Sequence, residues 1–126
     1  MCIRDSDCDG LAETAFEVDQ ALEVEPEQCV IWRVIAENQG DVDARNVIIT
    51  DSVTAFSTLE TGLLGYCLTN NCTPASVTDA AADDAGGVVG PAIVFYAGNN
   101  ANPAAGLGGT LIPGEKATAQ FVVRVE

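Results

Sequence analysis

Residues 30 to 37 alternate without a break, with Val30, Trp32, Val34 and Ala36 on one side and Ile31, Arg33, Ile35 and Glu37 on the other. A period of two belongs to a strand with one face against a core. Asn38-Gln39-Gly40-Asp41 then supplies turn chemistry, and Val47 and Ile49 resume the alternation before Asp51. Two adjoining strands with a shared apolar face must bury that face against a second layer, which restricts the chain to a layered β fold. The rest of the sequence follows suit. Phe16, Val18, Leu22 and Val24 face Glu17, Asp19, Glu23 and Glu25 across a strand expected in residues 11 to 25. Ile93 to Tyr96 reads as a compact strand. The closing strand places Ala117, Ala119, Phe121, Val123 and Val125 inward, and Thr118, Gln120, Val122 and Arg124 outward. Residues 78 to 90 and 98 to 109, rich in small, acidic, Gly and Asn residues, read as loops. With no helical periodicity anywhere, the expectation is an all-β antiparallel sandwich of about seven strands. Its core should centre on Trp32, packed with Val34, Val47, Ile49, Phe121 and Val123.

The chain has 126 residues, of which 48% are hydrophobic, enough for one domain with a core of its own. That domain is expected over residues 11 to 126, behind a leader of residues 1 to 10. Nineteen acidic residues against five basic ones give a net charge of −14, which disfavours phosphate backbones and anionic lipid as partners. No stretch of 18 consecutive apolar residues exists, so no membrane span is expected in this sequence. Histidine is absent, which removes the commonest general base and any Ser/His/Asp or Cys/His arrangement. Gly106-Leu107-Gly108-Gly109 lacks the strand and helix context of a phosphate loop. No enzymatic activity is expected.

Cys67 and Cys72 enclose four residues, a spacing suited to a small disulfide loop worth roughly 2 kcal/mol in the chain-entropy description. Cys8 and Cys29 would close a longer loop worth roughly 3 kcal/mol on the same basis. A four-cysteine metal knuckle is the competing arrangement, but the usual two-residue spacing between thiols is missing. With Cys2 set aside in the leader, four cysteines remain, and an even count in an acidic, strand-rich chain without His fits disulfides in an oxidising compartment. The only cofactor to weigh is calcium. Asp7 and Asp9, in the run Asp5-x-Asp7-x-Asp9-Gly10, resemble the opening of a calcium loop, although Phe16 stands where its closing Glu would be. Asp79, Asp83 and Asp84 form a second candidate set.

The first six residues, MCIRDS, resemble a translated sequencing adapter at the end of an assembled metagenomic reading frame, which implies a natural chain that starts upstream. The run PEQCVIWRVIAENQGDVDARNVIITDSV, with Pro26, Trp32, Asn38, Gly40, Asn46, Val47 and Asp51, resembles the conserved repeat domain of bacterial and archaeal surface proteins. Pro113-Gly114-Glu115 followed by ATAQFVVRVE is similar to that family's closing strand, while Glu27 and Trp32 stand where Gly and Tyr are more usual. The likeness extends over roughly residues 20 to 126. It implies an immunoglobulin-like sandwich at the cell surface or outside the cell, in a family whose own function is mostly unassigned. The expected role is a structural or assembly module of a stalk, adhesin or filament. Its partners would be copies of itself or neighbouring domains, met through strand edges, with Phe16, Val18, Leu22 and Val24 as an assembly stripe acting in cis or in trans. The competing role is an adhesive module that binds carbohydrate or protein through its long loops.

Overall fold

The computed structural model describes residues 2–5, 8, 25–53, 55–70, 72–80 and 83–126. They form an all-β antiparallel sandwich of two sheets. The strands are β1 (Cys2–Asp5), β2 (Cys29–Glu37), β3 (Ala44–Ser52), β4 (Ser57–Leu59), β5 (Leu64–Cys67), β6 (Ala75–Val77), β7 (Gly86–Val89), β8 (Ala92–Tyr96), β9 (Gly109–Leu111) and β10 (Lys116–Val125). The first sheet runs β1-β2-β10-β5-β6, with β4 also on β10, and the second runs β7-β8-β3-β9. Nine strands therefore lie between Cys29 and Val125, against the expected seven or so. The extra ones are short pieces, β4, β6 and β9 at three residues each, which periodicity cannot resolve. The expected strand from 11 to 25, with its Phe16, Val18, Leu22 and Val24 stripe, lies outside the described residues.

The spine is the antiparallel pair of β2 and β10, which runs from Lys116 opposite Glu37 to Arg124 opposite Cys29, so β2 begins at the pole where β10 ends. Val30, Phe121 and Val123 meet Leu64, Ile93, Phe95 and Ala119 in the main core, with Trp32, Val34 and Ile49 packed against it. Trp32 is thus half-buried at the rim, and Phe95 fills the centre where Trp32 was expected. Val47 belongs to a second cluster around Ala97, Leu111 and Ala117, so the six residues expected together divide between two packing groups, bridged by Ile49. Two outward assignments on β10 also change. Val122 is fully buried and Thr118 nearly so. Val122 lies with Ile31 and Cys29, and Cys8 and Leu63 pack over them. Thr118 is paired with Cys67, beside the other disulfide. The outer face of this sheet is therefore covered at both ends.

The stretch from 78 to 90, expected as loop throughout, contains β7, which forms a hairpin with β8 through Gly90-Pro91. Gly86-Gly87 hides it, because glycine has low strand propensity. Here glycine is required by space: a Cβ on Gly86 would fall 2.7 Å from Val77 Cγ2 and 3.0 Å from Phe95 Cε1. The loop between β8 and β9 holds a short 3-10 turn, Pro103–Ala105, capped by Asn102. Among the described residues no helix is long and apolar enough to cross a membrane.

Candidate functional site

Both cysteine pairs are bonded: Cys8 to Cys29 with Cα atoms 5.2 Å apart, and Cys67 to Cys72 at 6.2 Å. Cys29 precedes Ile31 on the outer face of β2, and Cys67 lies opposite Thr118 on the same face of the sheet. The two bonds thus fasten chain onto one face from opposite poles. No titratable thiol remains at these four positions for metal or redox chemistry.

The pole beyond Glu37 is organised by asparagines. Asn38 Nδ2 donates to the carbonyls of Val42 and Leu111, both at 2.8 Å, while its Oδ1 accepts from Gly40 N at 3.0 Å. Its main chain bonds Glu115 O and Gly114 N. One residue therefore joins two turns and the end of β9, which explains why an Asn-x-Gly step ends β2. Asn46 adopts the left-handed region at φ 53°, tolerated by Asn, at the irregularity in β3 between Ala44 and Val47. From there its Oδ1 accepts from Gly108 N at 2.8 Å. Asn99 Nδ2 reaches Glu115 Oε1 at 2.8 Å, and Asn70 spans Gly114 O and Lys116 N. Between Asn70 and Glu115 opens a crevice of about 310 Å³, lined also by Thr69, Ile112, Pro113 and Gly114. Its lining offers amide, hydroxyl and carboxylate groups without an aromatic platform.

A smaller pocket of about 130 Å³ lies at the opposite pole, where Trp32, Phe121 and Val123 face Asp51 and Ser52. Asp51 spends one carboxylate oxygen on the Ser52 amide. At this pole Arg124 forms a 2.6 Å bond with Glu60 and an ion pair at 3.7 Å with Glu27. The carboxylates hold its guanidinium even more firmly protonated than usual, the hydrogen bond that it donates to Glu60 contributing most. Phe56 stands nearby with 82% of its surface exposed and a φ of 61°, its carbonyl accepting from Glu126 N.

The calcium candidates divide. Asp7 and Asp9 lie outside the described residues. Asp79 Oδ2 accepts from Gly62 N at 2.7 Å, Asp83 accepts from the Thr78 hydroxyl, and Asp84 accepts from the amides of Thr78 and Gly86. These acids are turn acceptors, and among the described residues no group of three or more His, Cys, Asp or Glu side chains converges for a metal ion. Lys116, the sole lysine, opens β10 and pairs with Glu37 at 3.9 Å.

Sequence reasoning missed how short a stretch of β2 is paired by β1. On the side of β2 away from β10, β1 pairs only with Cys29 to Trp32, and among the described residues no further strand is paired there. Ile35 keeps 45% of its surface there. The available signal was the length mismatch between a nine-residue β2 and any partner as short as the leader. Scans of the chain against protein-family models, curated proteins and solved structures find no match.

Proposed function

We propose that the chain is an extracellular structural module of a prokaryotic surface protein or filament, assembled with copies of itself or with neighbouring domains through strand edges. The observation that carries this reading is the pair of disulfides fastened on one face of a two-sheet sandwich. Such bonds persist in oxidising compartments and stabilise a chain against unfolding outside the cell. Three further features support it. The sequence resembles the conserved repeat domain of surface proteins, an immunoglobulin-like module. A net charge of −14 keeps individual copies soluble while they are exported and assembled. The crevice beside Asn70 is open and lined by polar groups, which suits contact better than turnover. Electron microscopy of the oxidised protein, concentrated at physiological salt, tests the proposal. Ordered oligomers or filaments are expected, and uniform monomers at every concentration would sink it.

A further inference from the structure

We infer that the small pocket between Trp32 and Asp51 receives the side chain of Arg45 from a second copy, joining copies end to end. The inference rests on the assembly reading above and names a contact between poles in addition to strand edges. The pocket lies at the pole where β2 begins, with Trp32, Phe121 and Val123 as apolar walls and the exposed Asp51 and Ser52 at its mouth. Its volume of about 130 Å³ is well below the roughly 300 Å³ at which small-molecule sites begin, and it suits a single side chain. Asp51 gives Oδ1 to the Ser52 amide at 2.8 Å, which fixes the carboxylate and leaves Oδ2 for an incoming donor. An indole beside a carboxylate is a receptor for a cation. A guanidinium satisfies both, stacking on the ring while it donates to the acid.

The chain supplies one such group. Among the basic residues whose side chains are described, Lys116 pairs with Glu37, Arg124 with Glu60 and Glu27, and Arg33 bonds Gln120. Arg45 is exposed near the start of β3, and among the described residues its side chain has no ion pair or hydrogen bond. In a chain of nineteen acidic residues and five basic ones, a cation without a carboxylate partner is set apart from the rest. Its own pocket is out of reach, because Arg45 and Asp51 stand near opposite ends of β3, about 20 Å apart along the strand. The partner must therefore be another copy. A contact from one pole to the opposite pole of the next copy is heterologous, so it repeats into an open chain. Apolar residues at the two poles match as well. Phe56, with its backbone in the left-handed region, stands exposed at the pole of the pocket. Val42 and Ile112, both more than half exposed, sit by the turns that Asn38 ties together at the other pole. Contact between these groups excludes water from the ion pair beside them, which strengthens it.

The test is analytical ultracentrifugation of the full chain, with circular dichroism confirming the fold. R45A removes the cation and D51N removes its acceptor, and each is expected to weaken association about tenfold. An equimolar mixture keeps one good contact, Arg45 of the D51N chain in the pocket of the R45A chain. It is therefore expected to form dimers and nothing longer, at concentrations where the unaltered chain grows further. Trp32 is the only tryptophan, so its fluorescence reports on the pocket directly. Titrating R45A with millimolar N-ethylguanidinium, against sodium chloride at the same ionic strength, should give a saturable change in emission. The double variant R45A/D51N should need about ten times more of the cation to reach it. Unaltered association in both variants, or an emission change that is absent or indifferent to D51N, overturns this contact and leaves assembly through strand edges standing. Monomers of the unaltered chain at every concentration overturn the inference, and micrographs free of oligomers then remove the assembly reading as well.

Discussion

The two ends of the sandwich interior are built on different principles. Near the pole where β2 begins, volume does the holding: Val30, Leu64, Ile93, Phe95, Phe121 and Val123 fill the space between the sheets. Toward the other pole the side chains shrink to Ala36, Ala44, Ala97 and Ala117 around Leu111, and the backbones close in. A Cβ on Gly98 would fall 2.7 Å from Thr110 N, and one on Gly108 would land on the Val47 carbonyl. There, asparagine side chains bond the turns to one another in place of apolar filling. A fold can thus be closed by packing at one end and by main-chain proximity at the other, and the two ends should respond differently to mutation.

The largest difference is expected on truncating the filled end. Phe95→Ala should cost about 3 to 5 kcal/mol, measured by denaturant unfolding, because Phe95 is buried at the centre of the main cluster. Trp32→Ala should cost clearly less despite removing a larger side chain, since Trp32 is only half-buried at the rim pocket. Equal losses would erase the distinction between centre and rim. Next in size is Asn38→Ala at the stitched end, which strips two donors and one acceptor and should cost about 2 to 3 kcal/mol. Its signature is local. Amide exchange should accelerate at Gly40, a hydrogen-bond partner of its side chain, before the filled end is affected.

The smallest effect probes the residue that joins the two ends. The Tyr66 ring stacks on Phe95 with centroids 6.4 Å apart, and its hydroxyl accepts from Gly98 N at 2.9 Å. Burial, and to a lesser degree the charge of Glu115, pushes the phenol above its ordinary value of 10.0, with the Gly98 bond opposing. The raised value means that the unfolded chain loses its proton first. The stability contributed is therefore fully present below about pH 10 and is lost as pH climbs through the folded-state value. Tyr66→Phe should cost about 1 to 2 kcal/mol at neutral pH, by leaving the buried Gly98 N–H without its acceptor. It should also flatten the alkaline decline in unfolding free energy. An unchanged decline would assign it to other groups.

The filled end was the more legible in sequence, because long alternating strands such as β2 and β10 carry a period that side chains write plainly. Spacing pointed to Cys67–Cys72, and Cys8–Cys29 followed as the remaining pair once Cys2 was set aside with the leader. Trp32 was misplaced because phase tells which face a residue occupies but not how far along the sandwich it sits. Val122 has the phase of a solvent-facing residue, and it lies in a cluster over which Cys8, held by its bond to Cys29, and Leu63 pack. The stitched end was harder, since Gly98 and Gly108 look like loop material and their reason is the nearness of another chain segment.

The antiparallel register that sets Cys29 opposite Arg124 has a mechanical consequence. Tension applied between the start of β2 and the end of β10 acts at the same pole, across the line of their hydrogen bonds. The first rungs, at Gln28 and Val30, would take the whole load and open before the later ones felt it. Such a pair unzips rung by rung, whereas strands pulled from opposite ends must shear all their bonds together. A force-spectroscopy trace pulled from these two points should show a low, drawn-out opening without a single tall peak. Tensile strength in any assembly of these modules would then have to come from contacts between copies, and not from the path of the chain.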